Sequence, residues 1–283
     1  MTPLRQRMLE DMRLRNLSIR TQETYISQVK KFAEHFKKSP ELLGRDQIRE
    51  YQLYLIEREV SWSVFNQTLC ALRFLYIKTL KKPWNVEEID FPKRPQKLPI
   101  VLSQQEVAQF LSSVADYRHR VALTTIYSAG LRLSEGTHLK ISDIDSKQMT
   151  IRVEQGKGMK DRYVMLSTRL LELLRNYWKT IRPQGIYVFP SKLDPSKPMH
   201  EQALQRAFSK TLNQLRWRKE ISVHTLRHCF ATHLLEHGVS VRTIQVLMGH
   251  KDLSTTQRYM RVTTRVITQA RSPLDLLPDV GKL

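Results

Sequence analysis

Apolar residues recur at helical spacing along most of the chain, and polar residues that can cap helices precede the apolar stretches. Residues 1–95 predict a short helix at about 1–15 and then three longer helices, which begin near Ser18, Asp46 and Ser63. No alternating strand pattern occurs in this part of the sequence. It is therefore predicted to fold as a small helical bundle.

The segment from Phe91 to Pro99 has no apolar periodicity and contains three prolines and three cations. Such a composition is typical of an extended linker. It divides the sequence into a first domain over 1–90 and a second domain over 100–271, followed by a tail over 272–283. The tail carries three leucines that are predicted to pack on this protomer or on another one: Leu274, Leu276 and Leu277.

The second domain is predicted to combine helices with a small sheet. Ser103 and Glu106 fit the capping-box pattern that starts a helix. Helices are predicted at about 103–114, 118–130, 168–181, 200–217 and 223–237. Alternating apolar residues predict strands at 147–154 and 162–166, with Tyr187–Phe189 as a candidate third strand. The predicted fold class is mainly α with a small antiparallel β-sheet.

The charge balance narrows the range of partners. The chain has 283 residues, a net charge of +20 and a pI near 10.1. Basic side chains outnumber acidic ones in both parts, by 18 to 12 in residues 1–95 and by 29 to 15 in residues 96–283. This excess favours a polyanionic partner such as nucleic acid. On charge alone, a ribosomal protein, a membrane-surface protein and a merely solvated surface remain open.

Cysteine usage and hydropathy indicate the compartment. Cys70 and Cys229 lie in apolar helical patterns and imply neither a disulfide framework nor a cysteine-based zinc site. The sequence shows no signal-peptide pattern and no apolar run long enough to span a bilayer. The predicted location is therefore the cytoplasm.

The stretch from His224 to Tyr259 carries the most specific chemistry. His224 and Arg227 are three residues apart and share one helix face; a short helix then delivers His250 to a turn, and Ser254 can cap a helix that carries Tyr259. A guanidinium binds phosphate oxygens in a bidentate fork. Imidazoles move or orient protons near neutral pH, and a tyrosine hydroxyl can act as a covalent nucleophile.

This stretch resembles the tyrosine recombinases, also called the phage integrase family. Those proteins carry H-x-x-R-H, then an L-G-H step, then a tyrosine nine residues after the last histidine. The corresponding segments here are H-T-L-R-H starting at His224, L-M-G-H ending at His250, and Tyr259. The additional Met248 departs from the family pattern, but the spacing to the tyrosine is kept.

Two further segments match the family in the expected order. A-G-L-R-L-S-E contains Arg132 and resembles the family's G-L-R-x-x-E box. G-K-G-M-K-D-R contains Lys157, at the tip of a predicted hairpin, and resembles its G-K-G-x-K-x-R segment. Met165 stands where the family usually has a proline.

The resemblance implies both an architecture and a reaction. It implies an N-terminal helical (SAM-like) core-binding domain and a C-terminal tyrosine-recombinase catalytic domain. It implies that the tyrosine attacks a DNA backbone phosphate, that the arginines hold the non-bridging oxygens, and that a lysine protonates the leaving 5′-oxygen. One histidine accepts or orients the tyrosine proton, and another hydrogen-bonds the phosphate. The implied catalytic residues are Arg132, Lys157, His224, Arg227, His250 and the nucleophile Tyr259.

The resemblance also implies the partners. The expected substrate is double-stranded DNA with paired recombinase-binding sites, on which a tetramer of protomers assembles. The DNA is expected to be that of the nucleoid, and no membrane partner is expected. No cofactor and no metal are implied. The residues do not distinguish integration, transposition, chromosome-dimer resolution and cointegrate resolution.

Three other functions agree with parts of the sequence. His224 and His228 are four residues apart, as in a histidine-ligated metallohydrolase, but the H-E-x-x-H carboxylate is missing and Arg227 would repel a cation. A non-catalytic DNA-binding protein would not need the complete set of six polar residues. A type IB topoisomerase would share the chemistry, yet it usually acts on one duplex.

Several residues also have purely structural interpretations. Arg132 could be a buried arginine paired with Glu135, and Lys157 could be an ordinary solvated turn lysine. Lys160 and Arg162 are predicted to contact phosphates or solvent. Trp217, with its basic neighbours, could face DNA or solvent. Three other histidines near His224 are predicted to be structural or solvent-exposed: His228, His233 and His237.

Overall fold

Helices make up most of the secondary structure in residues 2–82, 99–154, 161–250 and 256, the part of the chain that the computed structural model describes. The chain divides into two units, Met1–Gln96 and Lys97–Leu283. The predicted linker lies outside the described residues except for Pro99, and the predicted tail lies entirely outside them. The predicted domain boundaries therefore stay predictions.

The first unit is helical throughout its described part, as predicted. Ser18 caps the second helix, because its side chain accepts the Thr21 N–H at 3.2 Å. A 3₁₀ turn at Pro40–Leu42 and a π-helical turn at Leu75–Thr79 complete the unit. Its α-helices are α1 (Pro3–Leu14), α2 (Ile19–Phe36), α3 (Arg45–Glu57) and α4 (Trp62–Phe74).

Two of the predicted helix starts were wrong by two residues. The N-cap residue of helix α3 is Gly44 rather than Asp46; Gly44 has no side chain to accept a helix N–H, and its own N–H donates to Oε1 of Gln47 at 2.8 Å. Helix α4 is capped by Ser61 rather than Ser63, since the Ser61 hydroxyl accepts the Val64 N–H. Both predicted caps instead lie in the first turn of their helices, where capping residue types are also common.

One apolar core holds the first unit together. Apolar side chains from α1, α2, α4 and the π-helical turn are almost completely buried there, including Met12, Phe32, Leu72 and Tyr76. The Tyr76 hydroxyl donates to the Pro40 carbonyl at 2.8 Å, so its polar end is satisfied. Burial of this kind contributes about 1.5–3 kcal/mol for each large apolar side chain.

The second unit contains seven α-helices, a 3₁₀ turn at Ile141–Asp143 and three short strands within its described part. Its capping box is present as predicted: Ser103 Oγ accepts the Glu106 N–H at 3.1 Å, and Glu106 accepts the Ser103 N–H at 2.9 Å. The elements are α5 (Gln104–Ser113), α6 (Tyr117–Ala129), α7 (Leu133–Thr137), β1 (Ile144–Asp145), β2 (Thr150–Val153), β3 (Arg162–Met165), α8 (Thr168–Ile181), α9 (Glu201–Gln214), α10 (Val223–Glu236) and α11 (Val241–Met248).

The sheet is antiparallel in the order β1–β2–β3, with Ile151 opposite Val164. The strand predicted at 147–154 is shorter than expected, because Met149 has a φ of 54° and cannot continue an extended strand. The candidate strand Tyr187–Phe189 was wrong: within it, Tyr187 makes only an isolated bridge to Lys140, and β1 supplies the third strand.

The predicted fold class, mainly α with a small antiparallel β-sheet, is confirmed. The core of the second unit lies between the sheet and the surrounding helices, and helix α6 is central to it with five fully buried apolar side chains (Val121, Ala122, Leu123, Ile126 and Ala129). None of the helices in the described residues is both long and apolar enough to cross a membrane.

Candidate active site

Three helix ends deliver the candidate side chains to one region of the second unit. Helix α6 ends at Gly130, whose left-handed φ of 61° turns the chain toward Arg132. A side chain at Gly130 would be excluded, because its Cβ would meet the Phe230 ring at 2.3 Å. Helix α10 carries His224 and Arg227 in its first two turns.

Helix α11 ends in the same way one step further along the chain. Gly249 has a φ of 58° and follows Met248, so the chain turns and places His250 beside the other groups, as predicted. The Gly249 carbonyl accepts a hydrogen bond from Arg132 Nη2 at 3.2 Å. A Cβ at Gly249 would lie 3.0 Å from Cδ of Arg162, so this turn and that arginine are in close contact.

A carboxylate lies at the centre of the arginines. Glu135 accepts the Arg132 backbone N–H at 2.7 Å and Nη1 of the same arginine at 2.6 Å. It also accepts two bonds from Arg162, at 2.9 Å to Oε1 and 2.7 Å to Oε2. Nη1 of Arg227 lies 3.6 Å from the same carboxylate. One buried anion therefore faces three guanidinium groups.

The pKa of Glu135 reflects this charge. Burial alone would raise the pKa of the carboxyl, but the hydrogen bonds and charge of Arg162, and then those of Arg132, lower it to about 2. The carboxylate is thus ionised at neutral pH and compensates the buried guanidinium groups. Since its side chain is 7% exposed, the pair is largely protected from screening by salt.

Arg227 is the most buried of the four candidate residues that the structure describes, with 1% of its surface exposed. Its Nη1 donates to the Gly130 carbonyl, and its Nη2 donates to the Met248 carbonyl. The arginine therefore joins the turn before Arg132 to the turn before His250. A guanidinium has five N–H donors in a fixed fork, so contacts to backbone carbonyls are compatible with contacts to a phosphate.

The two candidate histidines are surrounded by positive charge. Burial is the larger cause that lowers the pKa of His250 to about 4, and the charges of Arg227 and Arg132 add to it. The pKa of His224 is also lowered, by burial and then by the same two arginines, although His224 keeps solvent-accessible surface. Both imidazoles are accordingly neutral at pH 7 and able to accept or donate one proton each.

Four of the six predicted catalytic residues fall within the described residues, and the structure brings them together: Arg132, His224, Arg227 and His250. Lys157 and Tyr259 lie outside the described residues, as do Lys160 and Ser254. The role of every one of the six residues stays a prediction at this point.

Arg162 was predicted to contact phosphate or solvent, and the structure contradicts this. Its side chain is 8% exposed, its guanidinium pairs with Glu135, and its Nε donates to the Leu247 carbonyl at 2.9 Å. The strand periodicity could have placed Arg162 on the same face of β3 as the buried Val164, because residues two apart on a strand share a face, but it could not have identified Glu135 as the partner.

Sequence reasoning also missed a threonine. Thr256 is 1% exposed, and its Oγ1 lies 2.9 Å from Nδ1 of His250. The family motifs gave this residue no role, since six residues separate it from the histidine in the sequence.

The other histidines are accounted for in part. His233 is structural, as predicted: Nδ1 bonds the Tyr127 hydroxyl at 2.9 Å and Nε2 bonds the Leu102 carbonyl at 2.9 Å. The Leu102 N–H lies 3.2 Å from Sγ of Cys229, so both polar groups of this residue are held by helix α10. The ring of His228 packs edge-on against that of His224, with centroids 4.5 Å apart.

Trp217 does not point away from the protein. It packs against the core of its own unit, with its ring centroid 6.2 Å from that of Phe110. Within the described residues, no three histidine, cysteine, aspartate or glutamate side chains are grouped so that they could hold a metal ion.

Comparison with known proteins gives the family. Residues 101–265 match the model of the phage integrase family, and residues 4–86 match that of the phage integrase N-terminal SAM-like domain. A Sinorhizobium fredii protein, y4qK, whose name places it among integrases and recombinases, is 50% identical over 98% of this chain and 90% of its own length. The tyrosine recombinase XerD of Staphylococcus aureus is 31% identical over 88% of this chain and 90% of its own length.

A solved structure agrees with the sequence comparisons. The site-specific recombinase XerH, crystallised with its difH substrate in a pre-cleavage complex, superposes with a TM-score of 0.71. It is 25% identical, and the match covers 89% of this chain and 80% of XerH. The predicted SAM-like and catalytic domains are thereby confirmed as the two parts of the fold. The chain belongs to the phage integrase family and is a tyrosine recombinase, a DNA breaking-rejoining enzyme.

Proposed function

We propose that this recombinase cleaves and rejoins DNA at specific sites through a 3′-phosphotyrosyl intermediate formed on Tyr259. The observation that carries the proposal is the convergence of two arginines and two neutral histidines. Arg132 and Arg227 contact the same turn, Met248–Gly249, that leads directly into His250. A phosphate that enters this region would meet charge and hydrogen-bond donors of the kind that phosphoryl transfer requires.

Arg132 and Arg227 would hold the non-bridging oxygens as negative charge develops on the phosphate. Arg132 is the more accessible of the two, with 22% of its side chain exposed, while Arg227 lies deeper. Glu135 and the backbone carbonyls fix both guanidinium groups before the substrate arrives. This preorganisation lowers the reorganisation cost in the transition state, which is the usual source of electrostatic catalysis.

Proton transfers would complete the reaction. Oη of Tyr259 attacks phosphorus and its proton passes to His224, whose lowered pKa leaves it neutral and able to accept. The bond from phosphorus to the 5′-oxygen breaks, and Lys157 gives that oxygen a proton. Because a tyrosine has an unperturbed pKa of ~10, it needs such a base at neutral pH. His250 would donate a hydrogen bond to the phosphate.

The outer face of helix α9 would contact the DNA. The exposed positions along this face carry amide, hydroxyl or basic side chains and no carboxylate. They are Gln202, Gln205, Arg206, Ser209, Lys210, Asn213 and Gln214. A helix fits the major groove, and amide and guanidinium groups are the side chains that read base edges there. The opposite face is buried through Leu204 and Phe208, so the outer face is presented rigidly.

The proposed substrate is double-stranded DNA with paired binding sites, and paired strand exchange would require a tetramer of protomers. XerH, the structural relative described above, is named a site-specific recombinase and was crystallised on a difH substrate. The net charge of +20 supports a nucleic-acid partner. The expected place of action is nucleoid DNA in the cytoplasm.

The covalent intermediate gives the direct test. Wild-type protein should form a DNA adduct that survives a denaturing gel on a nicked site that traps the intermediate. Tyr259→Phe should bind the same DNA with unchanged affinity and form no adduct. An adduct formed by Tyr259→Phe would place the nucleophile elsewhere.

Two further assays separate the competing enzyme classes. Cleavage should persist in EDTA, whereas loss with chelator and recovery with zinc or magnesium would support a metallohydrolase. Strand exchange between two duplexes should be observed; relaxation of one supercoiled duplex without exchange would instead indicate a topoisomerase.

A further inference from the structure

The hydroxyl of Thr256 holds one ring nitrogen of His250. Oγ1 lies 2.9 Å from Nδ1, within the range of a good hydrogen bond, and Thr256 is 1% exposed. A bond to a buried hydroxyl is not exchanged easily with water. The contact therefore determines which way the imidazole faces.

The backbone of His250 is fixed separately from its ring. The His250 N–H donates to the Gln245 carbonyl at 3.2 Å, and Nε2 of Gln245 donates to the His250 carbonyl at 3.2 Å. These bonds hold the backbone of the turn, whereas the bond to Thr256 is made by the imidazole ring itself. Among the contacts described, the bond to Thr256 is the one that acts on Nδ1.

The surroundings of the His250 ring also limit its protonation state. Burial first, and then the charges of Arg227 and Arg132, lower the pKa of His250 to about 4, so the ring is neutral and carries a single proton. A non-bridging phosphate oxygen accepts hydrogen bonds and does not donate them. A neutral imidazole can therefore donate to phosphate through Nε2 only if Nδ1 is the unprotonated nitrogen, and Nδ1 then needs a donor as its partner.

We propose that Thr256 is a positioning residue for strand cleavage: its hydroxyl donates to Nδ1 of His250, and the Nε2–H is thereby fixed as the donor to the phosphate. Thr256 precedes Tyr259 by three residues, so the hydroxyl that orients the histidine belongs to the segment that carries the proposed nucleophile. The inference rests on the proposed cleavage reaction.

Removal of the hydroxyl at constant shape tests the proposal. Thr256→Val should slow formation of the covalent adduct about three- to tenfold, the effect of one hydrogen bond, with DNA affinity unchanged. Thr256→Ser keeps the hydroxyl and should stay close to wild type. Thr125→Val makes the same change at a buried threonine whose hydroxyl bonds only its own helix, to the Val121 carbonyl, and should not slow cleavage.

A double-mutant cycle distinguishes positioning from general stability. In a His250→Ala background, Thr256→Val should have no further effect on the rate of cleavage, because the imidazole that the Thr256 hydroxyl would orient is absent. An undiminished further loss in that background would overturn the proposal, as would wild-type cleavage by Thr256→Val. If wild-type protein forms no adduct at all, the proposed function itself fails, which is a separate outcome.

The tautomer can be read without any variant at position 256. In protein labelled with ¹⁵N-histidine, the ring nitrogens of His250 are assigned by their loss in His250→Ala. At pH 7 the proposal expects an unprotonated Nδ1 and a protonated Nε2. The reverse assignment would overturn it.

Discussion

Glu135 and Arg162 form a two-bonded ion pair in which both carboxylate oxygens are engaged, at 2.9 and 2.7 Å. The same carboxylate accepts the side chain and the backbone N–H of Arg132. Arg162 lies five residues after Lys157. It also donates to the Leu247 carbonyl, in the helix that ends before His250. One ion pair therefore joins strand β3, the loop of Arg132 and the turn of His250.

Loss of the charge at Glu135 should destabilise the protein. Glu135→Gln leaves buried arginines without their anion, and breaking a buried ion pair on one side costs about 3–5 kcal/mol. The expected result is a lower free energy of unfolding in urea, together with slower strand cleavage. Glu154→Gln is the matched control, because Glu154 pairs with Lys140 and Arg152 at the surface. Equal effects of the two variants would contradict the central position of Glu135.

The same carboxylate should make stability depend on acid. Since the folded pKa of Glu135 is about 2 and the ordinary value is 4.5, the unfolded chain takes up this proton first as pH falls. Its contribution to stability is complete above about pH 4.5 and is lost as pH falls toward 2. The difference in unfolding free energy between wild type and Glu135→Gln should therefore shrink below pH 4.5. A difference that stays constant down to pH 3 would argue against the assignment.

Lys157 should matter for the leaving group alone. Lys157→Ala should cleave normal DNA slowly and recover on a 5′-bridging phosphorothiolate, because the sulfur departs without a proton. Lys147→Ala is the control, since Lys147 is an exposed lysine in the turn between β1 and β2. The measurement is the rate of adduct formation on both substrates; equal defects of Lys157→Ala on the two would move the general acid elsewhere.

Helix α9 should supply salt-dependent DNA binding. Arg206→Ala and Lys210→Ala remove exposed cations from its outer face, and each lost phosphate contact should reduce the slope of log affinity against log salt by about 1. Lys179→Ala, an exposed lysine on helix α8, should leave the slope unchanged. Binding isotherms at several salt concentrations measure the slopes. Unchanged slopes in both α9 variants would show that this face lies away from DNA.

The tail should affect cooperation between protomers. Truncation after Arg271 removes Leu274, Leu276 and Leu277, for which burial of each is worth about 1.5–3 kcal/mol. Binding to a single half-site should be largely intact, whereas cooperative filling of the paired site and recombination should both fall. Gel-shift titrations on one and two half-sites give the comparison. Intact cooperativity with lost solubility would show that the leucines cover their own domain.

Local signals in the sequence predicted most helices, and the resemblance to the tyrosine recombinases supplied the four described catalytic candidates. The capping box at Ser103 involves residues three apart, so it is visible without the fold, and Gly130 and Gly249 end their helices where glycine tolerates a left-handed backbone. Ser61 and Ser63 are both good caps, so residue type alone does not select between them.

The contacts between distant segments could not be predicted in the same way. Arg162 and Glu135 are 27 residues apart, and an arginine beside a glycine-rich segment is usually solvated. Its burial depends on the pairing of β2 with β3 and on the close approach of Gly249. Thr256 likewise contacts a residue that lies six positions away in the sequence. Charge compensation of this kind is a property of the folded arrangement, and no single motif contains it.

Leu102, near the beginning of the second unit, is hydrogen-bonded to helix α10 through the ring of His233 and the thiol of Cys229. Burial raises the pKa of that thiol to about 11, and the pKa of Cys70 is raised as well, first by burial. Because the thiolate is the form that reacts with oxidants and alkylating agents, both cysteines are chemically quiet near neutral pH. The helix that carries His224 and Arg227 is thus anchored by a contact to a fully buried thiol, which is protonated at neutral pH and shielded from reagents in solution.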